Sequence, residues 1–116
     1  MLPFRKKKLA MARFMAYTSK QQTGILDYMI TKKLTVLNKL GIHARPAAQF
    51  VRVASRFQSD VTVEKDDESV DGKSIMGLMM LAVGCGAVIN VTVEGSDEAE
   101  AIAALEELVQ NKFGED

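Results

Sequence analysis

A run of alternating residues at positions 87–94 constrains the fold more than any other feature of this sequence. The apolar members of the run share one parity, and polar residues fill the places between them from Asn90 onward: Ala87, Ile89, Val91 and Val93. Successive side chains of a strand point to opposite faces, so the pattern predicts a strand with one buried face. A chain of 116 residues has room for one modest core. The strand is therefore expected in a small sheet covered on one side.

Three further stretches have the pattern of strands: residues 30–36, 60–64 and 68–71. Lys32 is the exception on the otherwise apolar face of the first stretch, and Val61 and Val63 alternate with polar neighbours in the second. Asp66 and Asp67 predict the turn between the second and third, because aspartate bonds readily to its own local backbone.

A first helix is predicted from within a residue or two of His43 to about Gln58. Pro46 marks its start, since proline is favoured at the first helical position, where its missing N–H would have lacked a partner. Apolar residues then recur at helical spacing: Phe50, Val53, Ala54 and Phe57.

Two more helices are predicted further along the chain. One covers residues 75–81, with Ser74 at its N-cap. The other follows Asp97, with Glu100 three residues on at the spacing of a capping box. Its buried face is expected to contain Ala101, Ile102, Leu105, Leu108 and Val109, whereas its glutamates Glu98, Glu106 and Glu107 are expected in solvent.

The predicted order of elements is β-α-β-β-α-β-α, which is typical of an α+β fold with helices on one face of an antiparallel sheet. The pattern alone is equally compatible with a ferredoxin-like regulatory domain.

Charge is distributed unevenly along the chain. Residues 1–28 hold six basic residues and one acidic residue, and residues 29–116 hold nine basic and fourteen acidic residues. An acidic folded part argues against a nucleic-acid-binding module. For residues 1–28 three interpretations remain: a disordered basic tail, an amphipathic targeting segment, or an upstream extension from a misassigned start. No apolar run there is long enough for a transmembrane helix.

A single cysteine, Cys85, and a single histidine, His43, exclude an intramolecular disulfide and an ordinary zinc site. We expect no metal and no cofactor. Cys85 is expected to be a packed or loop thiol, because no second histidine is present to activate it.

His43 and Arg45 form the candidate site. A helix start offers unpaired N–H groups and a partial positive charge, which together favour a phosphate or carboxylate. Imidazole, with an ordinary pKa of about 6.5, is largely unprotonated at pH 7 and can act as a nucleophile. The alternative is that His43 is a polar turn residue and Arg45 a solvated charge.

Two separated motifs resemble the HPr family of histidine-containing phosphocarrier proteins of the bacterial sugar phosphotransferase system: GIHARPAA at 41–48 and DGKSIMGLMMLAVGCG at 71–86. The resemblance extends over about Met29 to Phe113. It implies the open-faced sandwich of the family, with four antiparallel strands and three helices. It also implies that His43 carries a phosphoryl group on Nδ1, assisted by Arg45.

The second motif implies regulation and docking. The serine that matches Ser74 is phosphorylated by HPr kinase/phosphorylase in many family members, whereas the local pattern alone favours a simple capping role. Residues matching Ile75 and Met76 contact enzyme I and IIA domains in the family, and we expect Met79 to belong to the same surface. The alternative is that these side chains are core.

The resemblance therefore implies a phosphocarrier, not an enzyme, that takes a phosphoryl group from enzyme I charged by phosphoenolpyruvate and passes it to a IIA component. A regulatory interaction protein controlled through Ser74, without sugar transport, is the second hypothesis. A ligand-binding ferredoxin-like domain is the third. Residues 29–116 are expected to form the carrier domain, and the protein is expected to be a cytoplasmic monomer.

Overall fold

The computed structural model describes residues 29–115, and the expectations for residues 1–28 lie outside them. The elements follow the predicted order: β1 Met29–Thr35, α1 Ala44–Ala54, β2 Asp60–Lys65, β3 Glu68–Asp71, α2 Ile75–Met80, β4 Val88–Glu94, α3 Glu98–Gln110 and a 3₁₀ turn Lys112–Gly114.

The four strands form one antiparallel sheet in the order β1-β4-β2-β3. The register places Leu34 beside Ile89 and Val61 beside Val93, so the apolar sides of neighbouring strands fall on the same face. Helices α1 and α3 pack against each other, and α3 packs on β1 and β4. The fold is thus the predicted α+β sandwich with one covered face.

The alternation at 87–94 corresponds to the central strand β4. Ile89, Val91 and Val93 are fully buried under the helices. On the opposite face Thr92 pairs with Thr31 of β1 through their hydroxyls, 2.9 Å apart. Lys32, the charged residue on the otherwise apolar face of β1, forms an ion pair with α3. Its Nζ lies 2.9 Å from Glu106 Oε1. Glu106 therefore has a specific partner and is not simply solvated.

Helix α1 ends at Ala54, four residues before the predicted end at Gln58. After Ala54 the backbone N–H groups donate to the carbonyl three residues earlier instead of four. Arg56 N–H donates to Val53 O, and Phe57 N–H donates to Ala54 O. The reason lies in the next residues, because the N–H groups of Gln58 and Ser59 turn away to donate to the Asp97 carboxylate. Phe57 still packs against the core.

Two expectations for α3 are wrong. Asp97 occupies the N-cap position, but its side chain makes no capping bond to its own helix. It instead accepts hydrogen bonds from the Ser59 hydroxyl and from two backbone N–H groups of the α1–β2 connection. Glu98 is also buried, and it does not lie in solvent as predicted. The long-range contact of Asp97 draws the start of α3 onto the α1–β2 connection.

Candidate functional site

The segment before His43 is fixed in place by the loop that precedes β4. Ile42 is buried, and its N–H donates to Val83 O at 2.9 Å. Gly41 has a φ of +68°, and a Cβ at this position would collide with the Val83 carbonyl oxygen. Only glycine fits there without strain, so the sequence Gly41–Ile42 sets the direction in which the chain reaches His43.

His43 is the N-cap of α1, in an extended conformation with φ −89° and ψ −166°. Its carbonyl accepts from Ala47 N–H at 3.0 Å, which is the first bond of the helix. Pro46 is the third helical residue, two places later than its expected position, but there too a missing N–H costs nothing. No side chain caps the helix, and within residues 29–115 the N–H groups of Ala44 and Arg45 have no acceptor. This helix start is therefore open to an anion.

The imidazole of His43 contacts a residue from the far end of the chain. Nε2 lies 2.9 Å from Oε2 and 3.2 Å from Oε1 of Glu115. An ionised carboxylate only accepts hydrogen bonds, so Nε2 carries the hydrogen and the lone pair of the neutral ring is on Nδ1. In the described part of the chain no group bonds to Nδ1. The side chain of His43 is 38% exposed, and Nδ1 is not among the buried polar atoms that lack a partner, so this nitrogen is accessible.

Two cations border the site. A surface cavity of about 470 Å³ is lined by Lys39, Leu40, Arg45, Gly114 and Glu115. Lys39 and Arg45 are exposed, and among residues 29–115 neither forms an ion pair. Their charge is therefore available to an anionic group, and the guanidinium offers several donors in a geometry that matches phosphate oxygens.

Sequence reasoning missed Glu115 and its second partner, Asn38. Glu115 follows a C-terminal turn in which its N–H donates to Lys112 O at 2.8 Å, and Phe113 is buried in the core. Asn38 Nδ2 donates to Glu115 Oε1 at 2.9 Å. The only signal in the sequence is an apolar Phe113 among polar residues, which predicts an anchored C-terminal turn but not which residue it approaches.

Ser74 lies on a different element from His43. It is the N-cap of α2 as predicted, and Gly77 N–H donates to its Oγ at 3.0 Å. Its side chain is half-buried, and α2 packs against α1. No bond among the described residues joins Ser74 to His43.

Helix α2 divides its apolar side chains between core and solvent. Leu78 and the following Leu81 are buried. Four others are exposed and line an apolar depression of about 450 Å³, here called the methionine surface: Ile75, Met76, Met79 and Met80. Met76 is 73% exposed, so the core interpretation does not hold for it.

Other classes of site receive no support from residues 29–115. They contain no group of His, Cys, Asp and Glu side chains that could hold a metal ion. No helix in this part of the chain is both long and apolar enough to span a membrane. Cys85 is an exposed loop thiol 3.7 Å from Leu37 O.

The fold and the site together define a small α+β domain with a partly exposed histidine at the start of a helix that no side chain caps. Residues 30–111 match the family model described as PTS HPr component phosphorylation site. The phosphocarrier protein HPr of Treponema pallidum is 50% identical over 76% of this chain and 100% of its own length. The HPr-like protein Crh of Halalkalibacterium halodurans is 52% identical over 66% of this chain and 92% of its own length.

Solved structures agree with these relatives. The crystal structure of HPr-C-His from Thermoanaerobacter tengcongensis has a TM-score of 0.73 and 50% identity, and covers 75% of this chain and 98% of its own. An HPr dimer from the same organism has a TM-score of 0.61 and 54% identity, with 71% and 94% covered. The chain belongs to the HPr family of phosphocarrier proteins of the phosphotransferase system.

Proposed function

We propose that His43 accepts a phosphoryl group on Nδ1 from enzyme I charged by phosphoenolpyruvate and passes it to a IIA component. One observation carries this proposal: the Glu115 carboxylate is hydrogen-bonded to Nε2, while Nδ1 is accessible at the start of α1. The protein is then a substrate of enzyme I and a relay, with no turnover of its own.

The transfer balances without an additional acid or base. The Nδ1 lone pair attacks phosphorus, and the bond between phosphorus and the donor breaks with its electron pair returning to the donor. Nε2 keeps its hydrogen, so the phosphorylated ring carries a positive charge. The Glu115 carboxylate, 2.9 Å from Nε2, is a counterion for that charge.

Arg45 and the helix start act on the phosphoryl group itself. The guanidinium of Arg45 supplies donors for the phosphoryl oxygens, and so do the N–H groups of Ala44 and Arg45, which have no acceptor in the described part of the chain. Phosphoryl transfer depends mainly on positioning and charge stabilisation, and these groups provide both.

Ser74 is proposed as a regulatory site for HPr kinase/phosphorylase. A phosphate there would lie at the start of α2, next to the methionine surface, and would add about two negative charges. The methionine surface is proposed as the docking site for enzyme I and IIA components. Flexible, polarizable methionines suit a surface that meets more than one partner.

The proposed carrier unit is residues 29–116, acting as a cytoplasmic monomer. A monomer leaves both His43 and the methionine surface open to partners. The dimer among the similar solved structures makes size-exclusion chromatography with light scattering the appropriate check.

A second function is favoured by one observation. The similarity to the HPr-like protein Crh supports it, so regulation through Ser74 without sugar transport is the alternative. A chain that is modified by the kinase but accepts nothing from enzyme I would fit this alternative.

Intact mass spectrometry tests the proposed function. The full chain is incubated with enzyme I and phosphoenolpyruvate and measured before and after brief acid treatment. One acid-labile phosphoryl group, absent from His43→Ala, is the expected result. An active enzyme I that leaves the protein unmodified, or that modifies His43→Ala equally, would contradict it.

A further inference from the structure

The side chain of Asn38 is completely buried next to the site, and both hydrogens of its amide are used. Nδ2 donates to Gly41 O at 2.7 Å and to Glu115 Oε1 at 2.9 Å. A carbonyl and a carboxylate can only accept, so the amide nitrogen must face them. Asn38 thus joins the loop before His43 to the residue that contacts the imidazole.

The other end of the same amide is unused. Asn38 Oδ1 is buried and has no hydrogen-bond partner in the part of the chain that the structure describes. An apolar side chain of similar size would be easier to bury than a half-satisfied amide. The value of asparagine at this position therefore lies in its two donors.

One of these donors holds the Glu115 carboxylate in one orientation. Oε1 accepts from Asn38, and Oε2 is the oxygen nearer to His43 Nε2. The buried Phe113 anchors the turn that leads to Glu115. The carboxylate is thus fixed both by its backbone and by a buried donor, as an orienting group must be.

We propose that Asn38 and Glu115 are positioning residues for His43. Their hydrogen-bond chain keeps the ring hydrogen on Nε2 and directs the lone pair of Nδ1 toward the start of α1. The consequence for phosphoryl transfer rests on the proposed function, but the effect on the imidazole exists in the unphosphorylated protein.

The test uses nitrogen NMR of the imidazole in the untagged full chain, labelled with ¹⁵N-histidine and unphosphorylated. The chain has a single histidine, so every imidazole signal belongs to His43. In the wild-type protein we expect hydrogen on Nε2 and slow exchange of that hydrogen with water. In Asn38→Leu, which removes both donors, we expect a mixture of tautomers and exchange about tenfold faster, the ratio that corresponds to one lost hydrogen bond.

Glu115→Ala is the second variant, because Glu115 is outside the hydrophobic core and its loss leaves that core intact. It is expected to reproduce the effect of Asn38→Leu on the ring. In a Glu115→Ala background, Asn38→Leu should change the imidazole signals no further, since the chain of bonds is already broken. Glu107→Ala, an exposed glutamate of α3, is the matched control and should leave the ring unchanged.

An Nε2 hydrogen with wild-type exchange and tautomer in Glu115→Ala would overturn the proposal. So would an effect of Asn38→Leu that persists undiminished in the Glu115→Ala background. Both results are independent of enzyme I. If the NMR results are as expected but enzyme I never modifies His43, the proposed function fails and the positioning role stands.

Discussion

The carboxylate of Glu115 lies 2.9 Å from Nε2 of His43, although 72 residues separate the two in sequence. The C-terminal turn thus completes a site that begins at the start of the first helix. Negative charge faces one edge of the imidazole, and the N–H groups of Ala44 and Arg45, which have no acceptor among residues 29–115, lie at the helix start that follows the ring. In the proposed phosphorylated state the carboxylate would stabilise the positive ring, and the N–H groups would stabilise the phosphoryl oxygens.

Replacing Arg45 with alanine should slow phosphoryl transfer from enzyme I by about ten- to a hundredfold, because a charged hydrogen-bond donor to the phosphoryl group is lost. The side chain is exposed, so the free energy of unfolding should stay the same. Rapid-quench measurement of phosphoprotein formation gives the rate. Arg52→Ala, an exposed arginine further along α1, is the control and should transfer at the wild-type rate. Equal rates for Arg45→Ala and Arg52→Ala would contradict the role of Arg45.

Replacing Ser74 with alanine should lower the free energy of unfolding by about 1 kcal/mol, because the bond from Gly77 N–H to the Ser74 hydroxyl is lost. Ser74→Asp keeps an acceptor at the N-cap and should retain most of the stability. Urea unfolding followed by circular dichroism measures both variants.

The regulatory role of Ser74 has a separate readout. Incubation with HPr kinase/phosphorylase and ATP should give an acid-stable phosphoryl group in the wild-type protein and none in Ser74→Ala. Ser96→Ala removes an exposed serine outside α2 and should be modified like the wild type. Modification of Ser74→Ala would place the site elsewhere.

Replacing Met76 with aspartate should weaken binding to enzyme I by about tenfold or more, because a charge would be introduced into the methionine surface, the proposed docking site. At 73% exposure the side chain contributes little to the core, so the fold should persist. Isothermal titration calorimetry measures the affinity. Val88→Asp, at an exposed apolar residue on β4 outside the methionine surface, should bind normally. If both variants bind like the wild type, the docking surface lies elsewhere.

Stability at low pH should depend on Asp97. The hydrogen bonds from the Ser59 hydroxyl and the Gln58 N–H hold the pKa of the Asp97 carboxyl below its usual value of 3.8. Because the folded-state pKa is lowered, the unfolded chain binds the proton first as pH falls. The stability that Asp97 contributes is therefore present above about pH 3.8 and is lost as pH falls through the folded-state pKa.

Asp97→Asn should therefore lower the free energy of unfolding at pH 7 and flatten its decline below about pH 4. Urea unfolding at a series of pH values measures both effects. Glu100→Gln, an exposed carboxylate on the same helix, is the control and should show the wild-type slope. An Asp97→Asn variant with the wild-type slope would show that the Ser59 contact does not set the acid response.

Local patterns predicted the elements because each pattern reflects burial on one face. The alternation of Ile89, Val91 and Val93 marked the central strand, and the glycine, histidine and proline of the first motif marked the helix start. The α2 cap at Ser74 followed from residue type alone. These features depend on neighbours within a few residues, so the sequence contains them directly.

Contacts between distant segments could not be predicted in this way. The early end of α1 depends on Asp97, about forty residues away, and the burial of Glu98 depends on how α3 meets the sheet. No local pattern distinguishes Asn38 or Glu115 from the other polar residues of the sequence. Only the folded chain shows that the two meet at His43.

The position of the phosphoryl group on the ring of His43 tests the account most directly. The full chain, labelled with ¹⁵N-histidine, is phosphorylated by enzyme I and phosphoenolpyruvate, and the imidazole nitrogens are recorded together with phosphorus. The account predicts coupling of phosphorus to Nδ1, with hydrogen still on Nε2. Coupling of phosphorus to Nε2, or no phosphorus on the ring under conditions in which enzyme I is active, would contradict it.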